Sequence, residues 1–198
     1  VTLGTNVEFF LDLFLTLHRV NTDIVTLVDV EATEILPEMM NGNLDAVVSW
    51  EPQTASLEAR LGEEAVIMTD PAIYSWYWNL VTTEEFVQTN AGVAEALLQA
   101  LLNANRWIAS NPEEAMKAVS SRLGLGASAA EAIRQKTRFS VTLDQALVLT
   151  MENQARWLLE KEGSSKEAVP NFLKILLPGP LGERAPESLG LPGIGELR

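Results

Sequence analysis

Cysteine is absent from the 198 residues, which excludes disulfides, thiol nucleophiles and thiolate metal sites together and leaves the redox compartment open. Histidine occurs once, at His18; a lone imidazole late in a helix reads as a surface or helix-end residue, not as a catalyst or metal ligand. No apolar run approaches the ~20 residues needed to cross a bilayer, so no direct membrane insertion is expected. Positive charge is scarce: 14 Lys and Arg face 27 Asp and Glu, a net charge of -13. That balance argues against nucleic acid and against an anionic membrane surface as partners, and it favours solubility. Phosphate-cradling loops, dinucleotide fingerprints and histidine clusters are missing as motifs. Carboxylates such as Asp29, Glu31, Glu34, Asp45 and Glu51 are plentiful, yet no spacing sets two of them across a bond. The chain is therefore expected to be no enzyme, with no catalytic residue, metal or cofactor.

What is present is a globular composition, 47% hydrophobic, with a concentrated signal at residues 44–52. Leu44, Ala46, Val47 and Val48 form a short apolar run after Asn41-Gly42-Asn43, the turn punctuation expected between a helix and an interior parallel strand. Ser49, Trp50 and Glu51 emerge at the strand's carboxyl end, the edge where open α/β sheets bind ligands. Pro52 stiffens the exit and suits the first turn of the next helix. Trp50 could equally pack as core against that helix, and Glu51 could bind a ligand amine or cap the helix.

The chain start supplies a second piece at the same edge. Residues 1–3 read as a strand end and Gly4 as a turn. Thr5 to Glu8 read as a capping box opening a helix through Phe9, Phe10, Leu13, Phe14 and Leu17. Free N–H groups at Thr5, Asn6 and Val7 carry partial positive charge and suit an anionic or carbonyl group. A bare cap is the plainer interpretation.

Strand and helix alternate up to Asp70-Pro71: strands at 1–3, 24–30, 44–49 and 65–69, helices to His18 and at 33–40 and 53–61, a parallel α/β layer. An aromatic strand at 74–81 follows. Its period of two places Tyr74, Trp76 and Trp78 on one face, as a cleft lining or as interlobe packing. Beyond it the pattern is helical: a capping box at Thr82 to Glu85, a helix at 92–109, a start at Asn111-Pro112-Glu113-Glu114, and helices from Ser128 and from about Leu143 to Glu162. The Pro- and Gly-rich tail from Pro178 is expected to be irregular. The chain has no initiator Met or signal peptide and begins inside an apparent strand, so a fragment or processed form is expected.

The series Val-Thr-Leu-Gly-Thr-Asn-Val-Glu-Phe-Phe-Leu at 1–11, Ile-Val-Thr-Leu-Val-Asp-Val at 24–30, Gly-Asn-Leu-Asp-Ala-Val-Val-Ser-Trp-Glu-Pro at 42–52 and Leu-Val-Thr-Thr-Glu-Glu-Phe at 80–86 resembles the nitrate, sulfonate and taurine type of substrate-binding proteins of ABC importers. That group includes binders of thiamine-type pyrimidines. The stretch 94–114 and Val169-Pro170-Asn171-Phe172-Leu173 continue the resemblance. It implies an α/β, type II periplasmic-binding fold lacking about its first 100 residues. Residues 1–72 would be lobe two, and residues 73–198 the crossover strand plus the helical C-terminal part of lobe one. It further implies a periplasmic or extracytoplasmic solute-binding protein that captures a small polar or anionic molecule and presents it to a membrane permease. Carried over residue by residue, Gly4, Thr5 and Asn6 resemble the head-group anchor of lobe two, and Trp50 and Glu51 the pair near the cleft mouth. Tyr74 and Trp76 are added as candidates from the aromatic strand. The alternatives are a ligand-sensing domain of a larger receptor or regulator and a pyrimidine-biosynthesis enzyme of the same fold.

Overall fold

The computed structural model describes residues 1–70, 73–164 and 169–191. Helices dominate. The first, α1 (Asn6–Leu17), follows a turn at Gly4 whose φ of +70° suits a residue without a Cβ. α2 (Ile35–Met40) and α3 (Gln53–Leu61) follow, the latter preceded by a cis Glu51-Pro52 bond. α4 (Glu84–Thr89) is opened by Thr83, one residue later than expected, whose Oγ1 accepts the Phe86 N–H at 3.1 Å. α5 (Ala91–Ser110) gives way to α6 (Pro112–Leu123), with Pro112 at the first helical position. Asn111 donates its Nδ2 back to the Trp107 carbonyl at 2.9 Å and so closes α5. α7 (Ala127–Lys136) starts after Gly126, one residue before the expected Ser128, and Glu131 pairs forward with Arg134 and Gln135. α8 (Gln145–Lys161) is capped by Asp144, whose Oδ1 accepts the Leu147 N–H at 3.0 Å.

Two expectations are corrected. The tail after Pro178 is not irregular throughout: α9 (Gly179–Arg184) buries Leu181, and Ala185 and Leu191 are buried beyond it. The reason is an apolar demand from α5. Leu102 packs with Leu181 and Ala185, flanked by Leu98, Val141, Leu143 and Leu189, so the tail folds onto a hydrophobic face despite its turn-rich composition.

The second correction concerns the sheet. Among the described residues the one assigned ladder is a parallel pair of β1 (Leu143–Asp144) and β2 (Leu189–Gly190), with Leu143 opposite Leu189. The runs expected as strands at 24–30, 44–49, 65–69 and 74–81 carry no assigned strand. A trace of the expected pairing does form at the chain start. The Val1 nitrogen donates to the Val28 carbonyl at 3.1 Å, and the Val30 N–H donates to the Val1 carbonyl at 3.0 Å, the alternation of a parallel pair centred on Val1 and Asp29. Elsewhere the apolar side chains that a covered parallel sheet would bury stay in solvent, with Ile24 77%, Val66 85% and Val81 81% exposed. Parallel strands gain stability only when neighbours and covering helices bury both faces.

The chain divides into two compact units. Unit one joins Val1–Ser75 with Glu113–Arg138, and unit two joins Trp76–Pro112 with Phe139–Arg198. Unit one is organised on Val30, Ile35 and Leu57, with Leu36, Met39, Leu44, Val47 and Leu61 packed around them. Ile35 is fully buried. α3 also packs against α7, with Ala55 on one and Ala129 and Ala130 on the other buried; such small residues permit close helix approach. Unit two centres on the Leu102 cluster, and an ion pair of 2.8 Å between Arg184 and Glu95 ties α9 to α5. No helix among the described residues is long and apolar enough to cross a membrane.

Candidate functional site

The turn before α1 is built by two reciprocal bonds. Thr5 Oγ1 donates to the Thr2 carbonyl at 2.6 Å, and the Glu8 carboxylate accepts the Gly4 N–H at 2.7 Å. The expected capping box is thereby displaced by one residue, because the Thr5 hydroxyl is spent on Thr2 and leaves the helix without a side-chain cap. Glu8 is 5% exposed, a carboxylate held at a helix N-terminus where the peptide dipoles favour it. Within this turn the N–H groups of Thr5, Asn6 and Val7 have no acceptor among the described residues. Thr5 and Asn6 are half-buried and Gly4 is exposed. Such donors can hold an anionic or carbonyl oxygen.

Tyr74 is brought to this same helix. Its ring meets Phe9 edge-on with centroids 5.6 Å apart and Phe10 at 6.3 Å, within the first two turns of α1. His18 lies at the far end, its ring tilted against Phe14 with centroids 4.3 Å apart and its Nε2 4.0 Å from Asp70. Its placement as an exposed helix-end residue matches the sequence-based expectation.

Trp50 and Glu51 open α3. Trp50 is half-buried and its carbonyl accepts the Thr54 N–H at 3.2 Å. Glu51 folds one carboxylate oxygen onto the Ala55 N–H at 2.9 Å, capping the helix, and offers the other to Lys136 Nζ at 3.3 Å. Capping is one of the two roles weighed for Glu51. The helix start holds two further polar groups: Ser49 Oγ and Gln53 Oε1 are buried with no hydrogen-bond partner among the described residues. Unpartnered buried polar atoms are costly, and they are frequent where a ligand or water completes the site.

Trp76 falls in unit two, where it stacks on Trp78 with centroids 5.7 Å apart and planes 13° apart. The pairing of residues 76 and 78 on one face follows the period-two pattern, but Tyr74 turns instead to α1. An open groove of about 530 Å³ lies between α2 and α3, lined by Leu36, Pro37, Met40, Ser56, Ala59 and Arg60. It contains none of the candidate residues. Sequence reasoning placed Ser49 at this edge without making it a candidate, and missed Gln53 and Lys136. Gln53 could have been found by asking which polar side chains sit at the start of α3; Lys136, 85 residues from Glu51, had no local signal. Among the described residues no group of three or more His, Cys, Asp or Glu side chains is placed to hold a metal ion.

Residues 2–115 match the family model described as NMT1/THI5 like. The chain belongs to the NMT1/THI5-like family. This is the family of nitrate, sulfonate, taurine and thiamine-pyrimidine binding proteins, and its periplasmic-binding fold and solute-binding role are the frame for this chain. Its members are mainly binding proteins that take small-molecule ligands, typically outside the cytoplasm, while the THI5 branch is linked to pyrimidine synthesis. The match contains Gly4, Thr5, Asn6, Trp50, Glu51, Tyr74 and Trp76, and it ends within the first turn of α6. Neither the curated proteins nor the solved structures give a match to the chain.

Proposed function

We propose that this chain is the solute-binding component of an ABC-type importer, capturing a small polar or anionic molecule of the sulfonate, nitrate, taurine or pyrimidine class in an extracytoplasmic compartment and presenting it to a membrane permease. The observation that carries this reading is the set of N–H groups at Thr5, Asn6 and Val7 that have no acceptor among the described residues, inside the span that matches a family of small-molecule binders. Three converging donors at a helix start neutralise an oxyanion without a full positive charge, which suits an acidic chain. Residues 1–72 act as lobe two in this reading, with the first turn of α1 as the head-group anchor. Tyr74 stands beside that turn, and Trp50 offers an apolar face to the body of the solute. Glu51 serves by fixing the start of α3. Trp76 is the remaining candidate and belongs to unit two. Closure over the solute gains its energy from tighter contacts in the closed state.

Isothermal titration with taurine, an alkyl sulfonate, nitrate and an aminopyrimidine tests the reading. One class is expected to bind at one site per chain. Trp50→Ala is expected to weaken it at least tenfold, the loss of about 1.4 kcal/mol or more of stacking and burial. Unchanged affinity in the Trp50 variant would remove that residue from the site.

A further inference from the structure

Residues 1–75 carry thirteen Asp and Glu against two Arg, whereas residues 113–138 carry three acidic and five basic side chains. The two stretches belong to the same compact unit and meet where α7 packs on α3. At that contact Lys136 Nζ lies 3.3 Å from Glu51 Oε1 and 3.3 Å from Glu58 Oε2. Glu58 lies on α3 and Glu51 in the turn that precedes it, and the two carboxylates meet at the same ammonium. One ammonium is thus shared by two carboxylates that would otherwise repel each other. Glu51 is engaged on both sides, since its other oxygen accepts the Ala55 N–H at 2.9 Å.

We propose that Lys136 is a positioning residue for the Trp50 turn: by holding Glu51 from α7 it sets the conformation of the segment leading into α3, which carries Ser49, Trp50 and Gln53. Lys136 lies on α7, outside the matched span of residues 2–115. The cation also leaves Glu51 unavailable as a counter-ion, and the turn therefore selects neutral or anionic groups over ligand amines. The consequence for ligand capture rests on the solute-binding role proposed above; the tether itself does not.

The test needs no solute. In the full chain labelled with ¹⁵N, the five tryptophans give five indole N–H signals, and the one lost in Trp50→Phe belongs to Trp50. Lys136→Met is expected to move the Trp50 signal by more than its linewidth while leaving those of Trp107 and Trp157 in place. Lys136→Arg should restore it, and Glu51→Gln should move it the same way with no further displacement when combined with Lys136→Met. Should Lys136→Met not fold, raising salt on the unaltered chain weakens this partly exposed pair and should shift the Trp50 signal selectively. The assignment is overturned if Lys136→Met lowers the urea midpoint yet leaves the Trp50 signal unmoved, if all five signals shift alike, or if salt has no selective effect. Failure of every solute to bind would refute the proposed function without touching these spectra.

Discussion

Replacing Ile35 by Ala removes the one large side chain that is fully buried among the described residues, at 0% exposure. Ile35 sits between Val30 and Leu57 and is surrounded by Leu36, Met39, Leu44, Val47 and Leu61, so it joins α2 and α3 to the segment leading into Trp50. Three carbons leave the core, worth about 0.8 kcal/mol each in transfer free energy. A residual cavity of roughly 40 Å³ adds about 1 kcal/mol at ~24 cal/mol per Å³. The expected loss is therefore about 3 kcal/mol, a large share of the stability of a small unit. Hydrogen exchange read by mass spectrometry localises it: peptides from residues 35–61 should lose protection by about 100-fold or more, while peptides from α8 in unit two keep theirs. A loss under about 1 kcal/mol in the residue 35–61 peptides would mean that Ile35 is not the packing centre the structure shows.

Asp144→Ala deletes the cap of α8, whose Oδ1 takes the Leu147 N–H at 3.0 Å, and is expected to cost about 1 kcal/mol in urea unfolding followed in unit two; no change would contradict the cap. Gly190→Val places a side chain where a Cβ would lie 3.0 Å from the Asp144 Cβ, so the β1 to β2 pair should loosen by about 1 kcal/mol or more; unaltered exchange at Leu143 and Leu189 would refute the close approach. The Glu131 carboxyl is held down to about 2 by hydrogen bonds from Arg134 and Gln135, which outweigh the opposing desolvation, with the charge of Arg134 adding to them. A depressed carboxylate pKa adds stability that is present above the ordinary value near 4.5 and is lost as pH falls toward 2. Carbon-detected titration of Glu131 should give a midpoint near 2, and Arg134→Met should raise it toward the ordinary range, with Gln135 still holding it part of the way down; an unmoved midpoint would break the assignment to Arg134.

Helix starts were legible because they are written locally. The Pro112 start, the 53–61 helix and the long 91–110 helix all follow from capping chemistry and apolar period, and the structure places them within a residue or two of expectation. Strands were not. The residues at 65–69 and 74–81 have the composition of buried strands, but a strand exists only through its neighbours, and composition does not supply them. The tail was misjudged for the complementary reason: its turn residues are visible in sequence, while the apolar face around Leu102 that recruits Leu181 and Ala185 is not. At the candidate site, the Gly4 turn and the α3 start were readable from local pattern. The displaced cap at Gly4 and Glu8, the unpartnered Ser49 and Gln53, and the Lys136 tether depend on which side chain wins a competition in three dimensions.

The central claim is that the first turn of α1 and the start of α3 hold a small solute. Native mass spectrometry of the purified chain, compared with its denatured mass and repeated after adding taurine, an alkyl sulfonate, nitrate and an aminopyrimidine, tests it most directly. The account predicts one added molecule per chain, retained from the cell or from one of these classes, and lost in Trp50→Ala. A bare chain under every condition, or a retained molecule indifferent to Trp50→Ala, would contradict it.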